Sequence, residues 1–102
     1  MRPYKLPDGS TIDLDKVVRI GPLQYDPNYH YIHDQHITGV HHRVTSVLDV
    51  SGIPNPLVIV FCELDDRSKR WHEDSDKHRK SVIDLGNKGY DEFMDAVTSK
   101  HE

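Results

Sequence analysis

The chain has 102 residues, 35% hydrophobic and 29% charged, with a mean hydropathy of -0.70. That describes a single domain, 1–102, with a thin core, and no apolar run approaches the ~18 residues of a membrane span. Thirteen basic residues against seventeen acidic ones give a net charge of -4, which argues against general, charge-driven nucleic-acid binding, since that needs a net basic face.

Residues 3–20 open with a hairpin pattern. Tyr4-Lys5-Leu6 and Thr11-Ile12-Asp13-Leu14 alternate polar and apolar residues on either side of Pro7-Asp8-Gly9-Ser10, a strong turn signal. Asp13–Lys16 reads as a tight turn, and Val17–Ile20 as a short strand closed by Gly21-Pro22. Residues 21–39 combine two prolines and two glycines with Tyr25, Tyr29, Tyr31 and three histidines. They read as a long loop, or as a loop around a short strand at Tyr29–His33; loops of this length are often functional.

Val40–Val50 is rich in β-branched residues, and Val40, His42, Val44, Ser46, Leu48 and Val50 share one face at period two. After the loop Ser51–Pro56, Leu57–Leu64 is the most apolar run and is expected to be a central strand buried on both faces. The connection is too short for a parallel crossover, so the two strands should pair antiparallel.

Asp65–Lys80 is highly charged. Trp71, Ser75, His78, Val82 and Leu85 recur at helical spacing, which makes a weak stripe; a charged loop followed by a strand at Ser81–Leu85 competes with it. Gly86-Asn87-Lys88-Gly89 reads as a break. In Tyr90–His101, Tyr90, Phe93, Met94 and Val97 fall at i, i+3, i+4 and i+7, with acid in the first turn and base in the last, the clearest helix of the chain.

Three constellations bear on chemistry. The eight histidines are the compositional excess, and His30, His33 and His36, with Asp34, His41 and His42 nearby, are the candidate ligands for zinc or another divalent metal. Neither a helix nor a strand gathers His30, His33 and His36 on one face, and the spacing matches no metallohydrolase motif, so the competing reading is an exposed polar loop and no cofactor. In the second, Arg70, Arg79 and Lys80 stand near Trp71 and could hold a phosphate, but interleaved acids cancel their field. A solvated helix laced with i,i+4 pairs is the simpler reading. The third, Cys62, lies inside the apolar strand and is expected to act as a small buried hydrophobe. A lone cysteine admits no internal disulfide. With no apolar segment at the N-terminus, it points to a reducing, cytoplasmic setting.

The segment Tyr4–Ile20, with its Asp-Gly turn, then Ile12-Asp13-Leu14, then Val17-Val18-Arg19-Ile20, resembles the start of small uncharacterised bacterial and phage proteins. The resemblance implies a curved antiparallel sheet closed by one helix, in the manner of pleckstrin-homology-like domains. It supplies no catalytic or binding residues.

The expected fold is α+β, a bent antiparallel sheet of about five strands with a C-terminal helix packed across it. The expected function is a small non-enzymatic module that binds a protein partner, with self-association as one form. An accessory or phage-borne inhibitor of a host system would fit. Tyrosines suit interfaces, so Tyr25, Tyr29 and Tyr31, with Arg70, Arg79 and Lys80, are the candidate contact residues. The alternative is a small-ligand binder or metal-dependent hydrolase of a phosphorylated compound built on the histidine-rich stretch 30–42. A third reading is a metal- or pH-responsive regulator.

Overall fold

The computed structural model describes residues 1–33, 36–67 and 71–99, with the backbone alone for 29–33, 36–38 and 71–72. Its elements are antiparallel strands followed by one helix, an α+β arrangement. Strands β1 (Pro3–Lys5) and β2 (Thr11–Asp13) pair in a hairpin, Tyr4 opposite Ile12. Gly9 takes φ +93 in the turn, a conformation that a side chain would strain. Asp8 fixes the same turn by accepting hydrogen bonds from the Ser10 hydroxyl at 2.6 Å and the Ser10 N–H at 2.9 Å. Leu14–Lys16 form one turn of 3₁₀ helix, capped by the Asp13 carboxylate.

The second sheet is organised by one long strand. β6 (His36–Val50) pairs antiparallel with β7 (Leu57–Asp66), from Val40 opposite Asp66 to Leu48 opposite Leu57. Three short strands also pair with β6: β3 (Val17–Ile20) near Leu48–Val50, β4 (Gln24–Tyr25) at Val44 and Thr45, and β5 (Asn28–His33) over His36–His41. His41, Thr45 and Leu48 each have a partner in β7 as well, so the three short strands share the opposite edge of β6. The stretch 21–39 is therefore mostly strand, with β5 and the start of β6 forming a hairpin arm. The strand expected from Val40 begins four residues earlier, because pairing with β5 continues the ladder.

Helix α1 (Trp71–Thr98) is continuous over 28 residues. Of the two readings of this stretch the helical stripe from Trp71 holds and the strand at Ser81–Leu85 does not, and two expectations are corrected: Gly86–Gly89 does not break the helix, and the helix starts well before Tyr90. The glycines have a packing role. A Cβ on Gly86 would stand 3.1 Å from Val44 Cβ and inside the envelope of its Cγ2, whereas one on Gly89 would reach Phe61 at 3.6 Å. They let the helix backbone lie directly on the sheet. Its buried face runs through His78, Val82, Gly86, Phe93 and Val97, while Leu85, assigned to that stripe by spacing, is exposed.

The core lies between α1 and the inner face of the sheet. Val40, His42, Val44, Ser46, Leu48 and Val50 are all buried, as the period-two pattern of β6 requires. Phe61 meets Tyr90 edge-on at 5.5 Å, and Phe93 contacts Tyr4 at 5.6 Å and Phe61 at 5.9 Å. Such pairs add about 0.5–1.5 kcal/mol beyond the area they bury. Among the described strands β7 pairs only with β6, and one face of it is open. It is an outer strand, not the central strand buried on both faces that its apolarity suggested. Arg2 ties the chain start to the helix end: its guanidinium donates to the carbonyls of Ala96 at 3.1 Å and Ser99 at 2.8 Å, and to Asp15 at 2.6 Å. Among the described residues no helix is long and apolar enough to cross a membrane.

Candidate functional site

Three polar residues meet on the inner face, at the end of the sheet nearest the hairpin arm. Alternation along β6 turns His42 inward between Val40 and Val44, and it is 0% exposed. The ladder sets Asp66, the last residue of β7, opposite Val40, where it is 4% exposed. His78 arrives from α1, four residues before buried Val82, and its side chain is 31% exposed. One ring nitrogen of each histidine and one Asp66 oxygen all lie within 4.8 Å of one another.

The hydrogen bonding of this cluster is uneven. His78 Nδ1 donates to Asp66 Oδ2 at 2.6 Å, a short charge-assisted bond. His42 Nδ1 lies 2.7 Å from the hydroxyl of Tyr25, which β4 brings beside it by pairing Tyr25 with Val44. The Tyr25 and His42 rings stack at 6.0 Å, and His42 meets His78 edge-on at 6.2 Å. His42 Nε2 is buried with no hydrogen-bond partner. An unsatisfied buried polar atom costs about 1–3 kcal/mol, so its retention in a thin core calls for a reason. Burial lowers the His42 pKa below the ordinary imidazole value, and the nearby charges of His78, His41 and Arg79 act in the same sense against the opposing pull of Asp66. His42 is accordingly neutral at pH 7.

The outer face of the same strands changes character along its length. At one end Val47 and Val58 stand directly opposite each other and are 42% and 59% exposed, followed by the pair Thr45 and Val60. At the other end Arg43 donates to Asp26 at 2.8 Å. There His41 lies 3.7 Å from Glu63 and 3.4 Å from Asp65. Clefts of about 260, 300 and 370 Å³ border the β1–β2 hairpin and are lined by residues such as Pro7, Asp8, Ile12 and Leu14, away from the histidine cluster.

Of the residues singled out from sequence, Tyr25 is half-buried and engaged with His42, while Arg79 and Lys80 are exposed on α1. Tyr29, Tyr31, His30, His33 and His36 lie in β5 and β6, with His33 opposite His36 in the ladder. Their side chains, like Asp34 and Arg70, fall outside the described residues. Cys62 is half-buried and burial raises its pKa, as befits an inert thiol. Sequence reasoning put His42 on the same face as Val40 and Val44 and His78 on the helical stripe, but it did not say that either is buried, did not join them, and left Asp66 among solvated charges. The position of Asp66 at the end of an apolar strand was the missed signal. Comparison with family models, curated proteins and solved structures finds no match.

Proposed function

We propose that this chain is a non-enzymatic binding module that recognises a protein through the uncovered face of β6 and β7, and that a second copy of the chain is a partner this face accepts. The observation that carries the reading is the exposed cross-strand pair Val47–Val58 on the side of the sheet away from α1. Charge supports a two-fold arrangement. The outer face sets Arg43 on β6 directly opposite Glu63 on β7, so in two copies face to face, with β6 of one over β7 of the other, their intrachain ion pairs can be shared across the contact. Sedimentation velocity of the untagged chain over a wide concentration range tests this. A dimer that forms with rising concentration and is lost in Val58→Lys, with the circular dichroism spectrum unchanged, is the expected result. A monomer throughout, or a dimer indifferent to Val58→Lys, would overturn it.

A further inference from the structure

We propose that His42, Asp66 and His78 hold a divalent transition-metal ion between the sheet and α1. This inference is independent of the partner reading above, since it rests on the inner face and not the outer one.

The donor set is the first ground. Two imidazoles and one carboxylate suit zinc, cobalt, nickel or ferrous iron, whereas calcium and magnesium prefer all-oxygen cages. Three separate elements deliver these groups: mid-β6, the end of β7 and the first half of α1. Ligands about 2.1 Å from a tetrahedral ion stand roughly 3.4 Å apart. The cluster, whose donor atoms lie within 4.8 Å of one another, needs a closure of at most about 1.4 Å. His78, partly exposed on its helix, can make it by side-chain rotation.

The unpartnered nitrogen is the second ground. His42 is fully buried and its Nε2 has no hydrogen-bond partner, while Nδ1 is held by Tyr25 at 2.7 Å. Metal-bound histidines show this division of labour: one nitrogen takes the ion and the other donates to an oxygen that fixes the ring. With Nδ1–H donating to the Tyr25 oxygen, the lone pair on Nε2 is left to the cluster. Asp66 supplies the negative charge, and an ion would neutralise it where water has little access. Three protein ligands leave a fourth position for water.

The test uses the full-length untagged chain after dialysis against a chelator. Zinc binding is followed by calorimetry and cobalt binding by visible absorption. We expect one ion per chain and the intense visible bands of a four-coordinate cobalt site. His42→Gln and His78→Gln should each weaken zinc binding by at least 100-fold, and Tyr25→Phe by 10–100-fold through loss of the ring anchor. The triple variant of the hairpin arm, His30→Gln, His33→Gln and His36→Gln, should bind as the parent does. Should His42→Gln fail to fold, His78→Gln, at the partly exposed position, carries the same test. No binding by the folded parent, or binding abolished by the arm variant and untouched by His78→Gln, would overturn the assignment.

Discussion

Replacing Gly86 by alanine tests the packing of α1 on the sheet most sharply, because helix propensity and packing disagree about its sign. In an exposed helix interior the change stabilises by about 1 kcal/mol. Here the new methyl would stand 3.1 Å from Val44 Cβ and overlap its Cγ2. Val44 is itself buried and opposite Cys62 in the ladder, so it has little room to turn. Overpacking of this kind costs about 1–3 kcal/mol, and with the core this thin we expect the upper part of that range. The net expectation is a loss of about 1–2 kcal/mol after the propensity gain, or roughly 5–15 °C in Tm for a domain of this size. Gly89→Ala is the control three residues along the same helix. Its Cβ would meet Phe61 Cδ1 at 3.6 Å, an ordinary contact, so the propensity term should prevail and stabilise by about 0.5–1 kcal/mol. Urea and thermal unfolding followed by far-UV circular dichroism measure both. In a double-mutant cycle Val44→Ala should recover about 1 kcal/mol or more of the Gly86→Ala loss. A Gly86→Ala protein as stable as the parent, or a cycle with no coupling, would refute the close approach of helix to sheet.

Other consequences follow from the same packing. Phe93 is fully buried and meets both Tyr4 and Phe61, so Phe93→Ala should cost about 3–5 kcal/mol, read from the urea midpoint at constant slope. Arg2→Ala removes the donors to Ala96, Ser99 and Asp15; we expect about 1 kcal/mol of lost stability, with faster amide exchange confined to the last turn of α1. The buried neutral state of His42 gives the metal-free protein a pH dependence. Its folded pKa lies below the unfolded value of about 6.5, so between the two the unfolded chain binds the extra proton. This contribution is complete above pH ~7 and is lost as pH falls below ~6.5. Unfolding in chelator at neutral and mildly acidic pH should show a smaller pH effect in His42→Gln than in the parent; equal effects would contradict a buried neutral imidazole.

How far the fold was legible depended on how each segment meets the core. β6 was plain in the alternation from Val40 to Val50 because that strand has one buried and one open face, and every second residue reports it. The last helical turns were equally plain, since Tyr90, Phe93, Met94 and Val97 are large and regularly spaced. The first half of α1 was obscure because, among the residues whose side chains are described, it buries little beyond His78, Val82 and Ile83 among many charges. Gly86 and Gly89, which look like punctuation, are in fact the contact surface. β7 misled in the other direction: its apolar run reads as an interior strand, but Val58 lies open on the outer face and Leu64, opposite His42, is exposed as well. The histidine cluster could not be read from spacing, because its members come from three elements that only the tertiary fold brings together. Two of its parts were visible singly, His42 as a member of the period-two face of β6 and His78 as a stripe member, while Asp66 was not.

The most direct test of the site is the protonation pattern of the His42 ring. Long-range proton–nitrogen NMR of the metal-free chain at neutral pH distinguishes a bare ring nitrogen from a protonated one. The proposed metal site calls for a proton on Nδ1, donated to the Tyr25 oxygen 2.7 Å away, and a bare Nε2 whose signal shifts when one equivalent of zinc is added. A proton on Nε2, with a signal that zinc leaves unmoved, would contradict it.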